Sequence, residues 1–345
     1  MGKHPDGGKD KDSELQRTVS FVDAPGHETL MAVMISGASI MDGALLLIAA
    51  NEHCPQPQTR EHLAALQIAG IENIVIVQNK VDLVTRERAI ESHNEISEFI
   101  AGTIAENAPI IPVSAHHDVN LDILIQAVED QIPTPDRGDE DGMMHIARSF
   151  DINRPGTRPD GLKGGIIGGS IVRGRFSKGD NVVIAPGRRS TQGSKQKWTP
   201  IETRIMSMKG GGLDLEEMNA GGLCGISTPL DPAMTKADNL SGQVMARKGE
   251  LPPIWEVMSL ELTLLERMVA SEEGEADKVK PLALNEMLMI NAATATSVGV
   301  VNKVSKGVTT LTLRLPICAP IGSRVTLSRR IDSRWRLIGH GTISG

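Results

Sequence analysis

Short apolar runs alternate with helix-length amphipathic stretches along the first part of the chain. The apolar runs begin at Val19, Gly43, Ile74 and Ile110. The helix-length stretches cover 28–39, 58–69, 85–105 and 121–132. Continuous apolar runs are typical of strands buried on both faces, and their alternation with helices favours a parallel sheet covered by helices. We therefore predict an α/β unit over 18–138, preceded by a polar leader, 1–17, that we expect to be disordered.

The pattern changes after a cluster of Pro, Gly and acidic residues at 133–142, a composition typical of a linker. Beyond it, short strand-like pieces alternate with Gly-rich turns, as in small β-barrels. A second break falls at Leu251-Pro-Pro-Ile. We predict one β-barrel over 143–250 and another over 251–345, so that the fold class is α/β followed by all-β.

Composition and charge exclude several classes of protein. A net charge of -7 argues against a protein that coats nucleic acid, although it leaves room for a local basic face. The three cysteines, Cys54, Cys224 and Cys318, form no C-x-x-C pair, so zinc is not expected and they are interpreted as apolar core residues. No apolar run reaches membrane-spanning length and the start is polar, which favours a cytoplasmic protein.

The first motif with possible chemistry, Asp23-Ala-Pro-Gly26-His27, directly follows the apolar run at Val19. An acid at the carboxyl end of a strand in an open α/β sheet faces the ligand crevice, where Asp23 would hold Mg²⁺ directly or through water. Gly26 would bring its backbone N–H to a γ-phosphate, and His27 would orient an attacking water. The alternative is a simple turn in which Asp23 caps a helix that begins at Glu28.

Two further motifs follow the next strands. In Asn79-Lys80-Val81-Asp82, the carboxylate would accept from N1–H and the amine of guanine, Asn79 would bond the ring edge, and the Lys80 stem would cover the base. In Ser114-Ala115-His116, a backbone N–H would reach guanine O6. A strand-to-helix turn with polar capping residues is the alternative for the first of these motifs, and the second alone is a very weak indication of function. The order of the three motifs at the ends of successive strands favours a guanine-nucleotide site. For the pair His116-His117, a solvated or base-edge role is favoured over metal binding.

A phosphate-binding loop of the form G-x-x-x-x-G-K-[ST] does not occur in the 345 residues. Gly7-Gly8-Lys9 is followed by Asp10 rather than Ser or Thr, and no strand precedes it. Because such a loop supplies N–H groups and a Lys to the phosphates, we expect this polypeptide to bind GTP weakly and not to hydrolyse it.

With these residues in place, the chain resembles the translational GTPases related to elongation factor Tu. The stretches at 56–62 and 173–180 carry that general likeness. More narrowly, it resembles the gamma subunits of archaeal and eukaryotic translation initiation factor 2. The strings that carry this resemblance begin at Asp23, Ser36, Gly102, Arg148, Leu315 and Ser328.

The resemblance implies a GTP-switched carrier of initiator methionyl-tRNA that works with alpha and beta subunits and the small ribosomal subunit. It places Asp23 and Gly26 in switch II and His27 as the residue that positions water, with GTP or GDP and Mg²⁺ as cofactors. It assigns base reading to Asn79, Lys80, Asp82, Ser114 and Ala115. The family's phosphate loop, Mg²⁺-binding Thr segment and Cys-rich knuckle precede the strand at Val19, so we expect a fragment with a partial doubly wound GTPase domain.

In that fold the missing first strand would lie between the strands at Val19 and Gly43. Its loss would leave two apolar edges unpaired or force a new pairing. Two alternatives to the gamma subunit stay open: a nucleotide-free binding remnant and, among the GTPases, a selenocysteine-specific or Tu-type elongation factor. A basic cluster around Trp335 is interpreted either as an RNA or ribosome contact or as a solvated turn with Trp335 in the core. Its cations are Arg329, Arg330, Arg334 and Arg336.

Overall fold

A computed structural model describes seven stretches of the chain: 16–23, 40–138, 142–192, 195–265, 278–305, 307–331 and 334–345. Most of the predicted leader and the predicted helix at 28–39 lie outside these residues. No helix in the described stretches is both long enough and apolar enough to cross a membrane.

The first unit is a parallel sheet with helices, as predicted, and three of the four predicted strands form it. Its strands pair in the order β1-β2-β3, and β2 is almost wholly buried. Pro57 opens the first helix, and Gly70, in the left-handed conformation, ends it. The elements are β1 (Ala44–Ala49), α1 (Pro57–Ala69), β2 (Ile74–Asn79), α2 (Arg86–Ile100), β3 (Ile110–Pro112) and α3 (Leu121–Gln131).

The predicted strand at Val19–Asp23 is wrong, because residues 16–23 form no regular structure and Phe21 is 72% exposed. Within the described residues β1 pairs only with β2, so this run has no neighbouring strand to complete its hydrogen bonds. Other contacts hold the segment instead. Arg17 bonds Glu129 and the Val128 carbonyl at the carboxyl end of α3, where a cation is favoured.

The second unit is all-β and combines an eight-stranded antiparallel sheet with a two-stranded ribbon. The sheet order is β10-β9-β12-β5-β4-β13-β7-β8, and the ribbon pairs β6 with β11. Both contribute to one core, in which Phe176, Met144 and Ile226 are fully buried. The strands are β4 (Met143–Phe150), β5 (Ile166–Arg173), β6 (Arg175–Ser177), β7 (Asn181–Gln192), β8 (Lys195–Arg204), β9 (Ser207–Gly210), β10 (Leu213–Leu215), β11 (Glu217–Asn219), β12 (Cys224–Ser227) and β13 (Val244–Arg247). A short helix, α4 (Pro232–Thr235), lies between β12 and β13.

The third unit is a closed six-stranded barrel in the order β14-β17-β16-β15-β18-β19. Alternate residues of its strands point inward, so that Leu288 and Ile290 lie in the core with Leu260 and Ile338. The strands are β14 (Ile254–Leu264), β15 (Met287–Ala292), β16 (Ala295–Ser305), β17 (Val308–Cys318), β18 (Arg324–Ile331) and β19 (Arg334–Ile343). The predicted boundaries at 18, 138, 143 and 251 stay predictions.

The helix α1 joins the first unit to the barrel. Its residues Ala65 and Ile68 pack against Leu337 of β19 and Leu265. Arg324 of β18 donates to the Ile68 carbonyl near the end of the helix (3.4 Å). The barrel in turn contacts the second unit, because Cys318 packs with Met143, Ala185 and Val244.

Candidate nucleotide-binding site

The base-reading motifs lie at one edge of the parallel sheet. Asn79 is the last residue of β2, and Ser114 lies just beyond the end of β3. The two strand ends are joined by backbone hydrogen bonds from Val113 N to Gln78 O (2.8 Å) and from Val81 N to Val113 O (3.3 Å). Since parallel strands end on the same side, both loops face the crevice where α/β sheets bind ligands.

The Asn79 side chain connects these two loops. Its Oδ1 accepts from Lys80 N at 2.7 Å and from Ala115 N at 3.2 Å. Lys80, with φ of 62°, takes the left-handed conformation that turns the chain back toward β3. The Ala115 N–H is therefore engaged within the protein, and only the Nδ2 group of Asn79 is left for a base edge.

Asp82 is held as a carboxylate beside the second loop. The nearby Ser114 hydroxyl is the main cause that lowers the pKa of Asp82, followed by a backbone N–H and the charges of His117 and His116. That hydroxyl is buried and makes no hydrogen bond of ordinary geometry within the described residues. His117 Nε2 lies 3.8 Å from Asp82 Oδ2. An ionised carboxylate accepts hydrogen bonds only, as guanine N1–H and its amine require.

The loop after Ser114 is fixed by a residue that the sequence interpretation missed. Asn120, at φ of 60°, donates from Nδ2 to the Pro112 carbonyl (2.8 Å), and Ser114 pairs with Val119 across the loop. An Asn directly before a predicted helix was the available indication, because Asn tolerates the left-handed conformation. His116 and His117 meet edge to face at 4.7 Å. In the described residues no three His, Cys, Asp or Glu side chains converge on a point that suits a metal.

Of the residues predicted for the phosphate side, the structure describes only Asp23. Asp23 is exposed, at the end of a segment whose Ser20 Oγ accepts from Leu223 N (3.1 Å) in the second unit. No described hydrogen bond or ion pair joins it to Asn79 or Asp82. Gly26 and His27 lie outside the described residues. The arrangement fits a guanine base, while the Mg²⁺ and water-positioning roles stay predictions.

The cysteines are buried, and two arginines of the basic cluster contact acidic residues of the molecule. All three cysteines are buried and free, and burial raises the pKa of Cys54 to about 11 and of Cys224 and Cys318 to about 12. Arg329 is bound by Glu286, and Arg336 lies 3.8 Å from Glu61. These two arginines therefore have partners inside the molecule.

Comparisons with known proteins agree with this layout. Residues 12–134 match the model of the elongation factor Tu GTP-binding domain, and 256–343 match that of initiation factor eIF2 gamma, C terminal. The chain is 54% identical over 335 residues to translation initiation factor 2 subunit gamma of Methanocaldococcus jannaschii, covering 97% of this chain and 81% of that protein. The same subunit of Haloquadratum walsbyi is 52% identical over 340 residues, covering 98% of this chain and 82% of that protein.

The chain belongs to the translation initiation factor 2 gamma-subunit family. The family consists of translational GTPases with an elongation factor Tu-like GTP-binding domain, so guanine nucleotides are its ligands. A role in translation initiation follows from this membership.

Solved structures show the same fold. Elongation factor SelB of Methanococcus maripaludis, in its apo form, superposes with a TM-score of 0.70 at 21% identity, covering 94% of this chain and 70% of SelB. Its complex with the GTP analogue GppNHp gives a TM-score of 0.71 at 20% identity, with the same coverage. The much higher identity to the gamma subunits places the chain in that family rather than with selenocysteine-specific factors.

Proposed function

We propose that the chain reads guanine with the edge formed by Asn79–Asp82 and Ser114–His116, within a GTP-dependent carrier of initiator methionyl-tRNA. The observation that supports this is the double hydrogen bond of Asn79 Oδ1 to Lys80 N and Ala115 N, which fixes both loops beside the ionised Asp82. The partners proposed with it are the alpha and beta subunits and the small ribosomal subunit, in the cytoplasm. Asp23, Gly26 and His27 would complete the Mg²⁺ and γ-phosphate side.

An Asp82→Asn substitution tests the assignment of the base reader. Xanthine carries an oxygen where guanine carries its exocyclic amine, so an amide at position 82 would donate to xanthine and repel guanine. We expect the preference for GMP over XMP to reverse, by about ten- to hundredfold, if a bidentate contact worth ~1–3 kcal/mol is exchanged. Titrations followed by NMR shifts of the Ala115 and Asp82 amides measure both affinities even when they are weak.

Asp118→Asn is the matched control, because it removes the same charge from an exposed residue of the neighbouring loop. Asp118 has φ of 54°, which Asn tolerates. This variant should keep the guanine preference. An unchanged GMP-to-XMP ratio in the Asp82 variant would remove Asp82 from the proposed site.

A second test compares the affinities for GTP, GDP and GMP, because the sequence lacks the motif that binds phosphates. It distinguishes a GTPase from a nucleotide-free remnant. We expect the 345-residue polypeptide to bind GTP no more tightly than GMP within about tenfold, because no Walker-type lysine or glycine loop grips the β- and γ-phosphates. Calorimetry with GTP, GDP and GMP measures the ratio. A sub-micromolar dissociation constant for GTP would contradict this expectation, and no guanine preference at all would favour the remnant.

A further inference from the structure

The strands β7 and β8 continue beyond their sheet as a two-stranded arm. The strand β13 pairs with β7 only from Val182 to Ala185, whereas β7 and β8 pair with each other again from Arg188 and Thr199 onward. We call the residues 188–190 and 197–199 the basic arm. Within the described residues its strands have no third strand beside them.

The base of the arm is fixed by a buried side chain. Gln243 accepts from Gly187 N with Oε1 (2.8 Å) and donates to Gly187 O with Nε2 (3.1 Å). Gly187 has φ of 90°, and a Cβ there would lie 2.0 Å from the Thr199 carbonyl oxygen. The direction in which the arm leaves the sheet is therefore set by the fold.

The charge of the arm contrasts with its surroundings. No acidic residue occurs from 188 to 200, and Arg188, Arg189 and Lys197 are exposed. No ion pair within the described chain involves these three cations. Three exposed lysines elsewhere in the second unit are paired with acids, in Lys178–Glu216, Lys209–Asp214 and Lys248–Glu202. Lys163 and Lys236 are exposed without an ion pair among the described residues, but each lies apart from other unpaired lysines in the sequence. In a chain with a net charge of -7, the basic arm is a local excess of unpaired positive charge.

The strand register places cations and hydroxyl groups on one face of the arm. Arg188 lies opposite Thr199 and Lys197 lies opposite Ser190, so these four residues share a face. The two cations are diagonal neighbours about 7–8 Å apart, close enough to reach adjacent phosphates. Arg189 and Trp198 pair on the other face. A face made of cations and hydroxyl groups suits a phosphate backbone, whereas protein interfaces need an apolar centre.

We infer that the basic arm binds the phosphate backbone of structured RNA. The inference rests on the proposed function only in its choice of RNA, which is either the carried tRNA or a helix of the small-subunit ribosomal RNA. The contact is electrostatic, is not specific for sequence, and does not use the guanine site. An acidic protein is the alternative partner, and the experiment distinguishes it.

The test is the double variant Arg188→Gln/Lys197→Gln against the matched control Lys178→Gln/Lys209→Gln, which removes two paired lysines from the same unit. Fluorescence anisotropy measures binding to an initiator tRNA transcript and to a small-subunit ribosomal RNA hairpin from low to moderate salt. Each phosphate contact contributes roughly 0.7–0.9 to the slope of log affinity against log salt. The arm variant should therefore lose about 1.4–1.8 of that slope for one RNA or both, while the control keeps it.

An unchanged slope for both RNAs would overturn the inference. So would a variant that loses binding to a poly-glutamate peptide but keeps its affinity for RNA, because that result identifies an acidic protein as the partner. A loss with the tRNA alone or with the ribosomal hairpin alone supports the inference and identifies the RNA. The guanine preference measured with GMP and XMP is independent of the arm, so failure of either proposal is recognised separately.

Discussion

Asn79 shows how much depends on one side chain at the base site. Its oxygen satisfies two backbone N–H groups from two loops, so the geometry around Asp82 is a property of both strand ends together. The four-residue motif predicted which residues meet here. It did not predict that Asn79 acts within the protein, because that depends on the pairing of β2 with β3, which a local motif does not contain.

At the same scale, we expect His145 to make the stability of the protein sensitive to acid. This residue of β4 is buried, and burial, with the nearby charge of Arg137, lowers its pKa from 6.5 to about 4. Because the folded-state pKa lies below the ordinary value, the unfolded chain takes up the proton more readily. The contribution of neutral His145 is complete above pH 6.5 and is lost progressively as the pH falls toward 4.

We expect His145→Asn to flatten the dependence of unfolding free energy on pH between 6.5 and 4, by on the order of 3 kcal/mol at most. Urea unfolding at several pH values in this range measures how the free energy of unfolding changes with pH in each variant. A loss of packing shifts this free energy equally at every pH, so it does not affect the slope. Some slope should remain, because burial also lowers the pKa of His62 and of His340. His93→Asn, which removes an exposed imidazole, is the control, and equal slopes in both variants would exclude the role of His145.

At the scale of elements, a strand predicted from the sequence formed only where a neighbouring strand was available to pair with it. The runs at Ile74 and Ile110 became β2 and β3 because each has a neighbour in the sheet. The run at Val19 also carries three large apolar residues, yet it forms no strand, since Ser20 and Arg17 contact the second unit and α3 instead. The basic arm was also not predicted, because its polar sequence resembles that of an ordinary turn.

The β7–β8 hairpin gives a prediction at this scale. Gly187→Ala should destabilise the protein more than Gly179→Ala, although both glycines have φ near 90° and both alanines carry a backbone strain of about 1–2 kcal/mol. A Cβ at 187 meets the Thr199 carbonyl oxygen at 2.0 Å, whereas nothing lies within 4 Å of one at 179. The clash with backbone should add roughly 1–3 kcal/mol in urea unfolding. Equal losses would mean that the hairpin relaxes freely around position 187.

At the scale of the whole molecule, α1 links the nucleotide-binding unit to the barrel. Its amino-terminal half carries buried Glu61, 3.8 Å from Arg336, and its end receives Arg324 beneath Gly70. Between these polar contacts lies the apolar cluster of Ala65, Ile68, Leu337 and Leu265. The helix and the barrel thus meet in one buried apolar cluster, although the first unit and the barrel have separate cores. No local sequence pattern indicates which surfaces of the two units meet.

Substitutions at two neighbouring residues of β19 distinguish the contribution of this contact to stability from that of the barrel core. Leu337 faces α1, whereas Ile338 is fully buried inside the barrel. Each change to Ala should cost about 2–5 kcal/mol. Leu337→Ala should split calorimetric unfolding into two transitions, because the barrel keeps its core while the first unit loses its support. Ile338→Ala should instead lower the transition of the barrel itself. A single transition in the Leu337 variant, lowered as in the Ile338 variant, would show that the two units unfold together without needing this cluster.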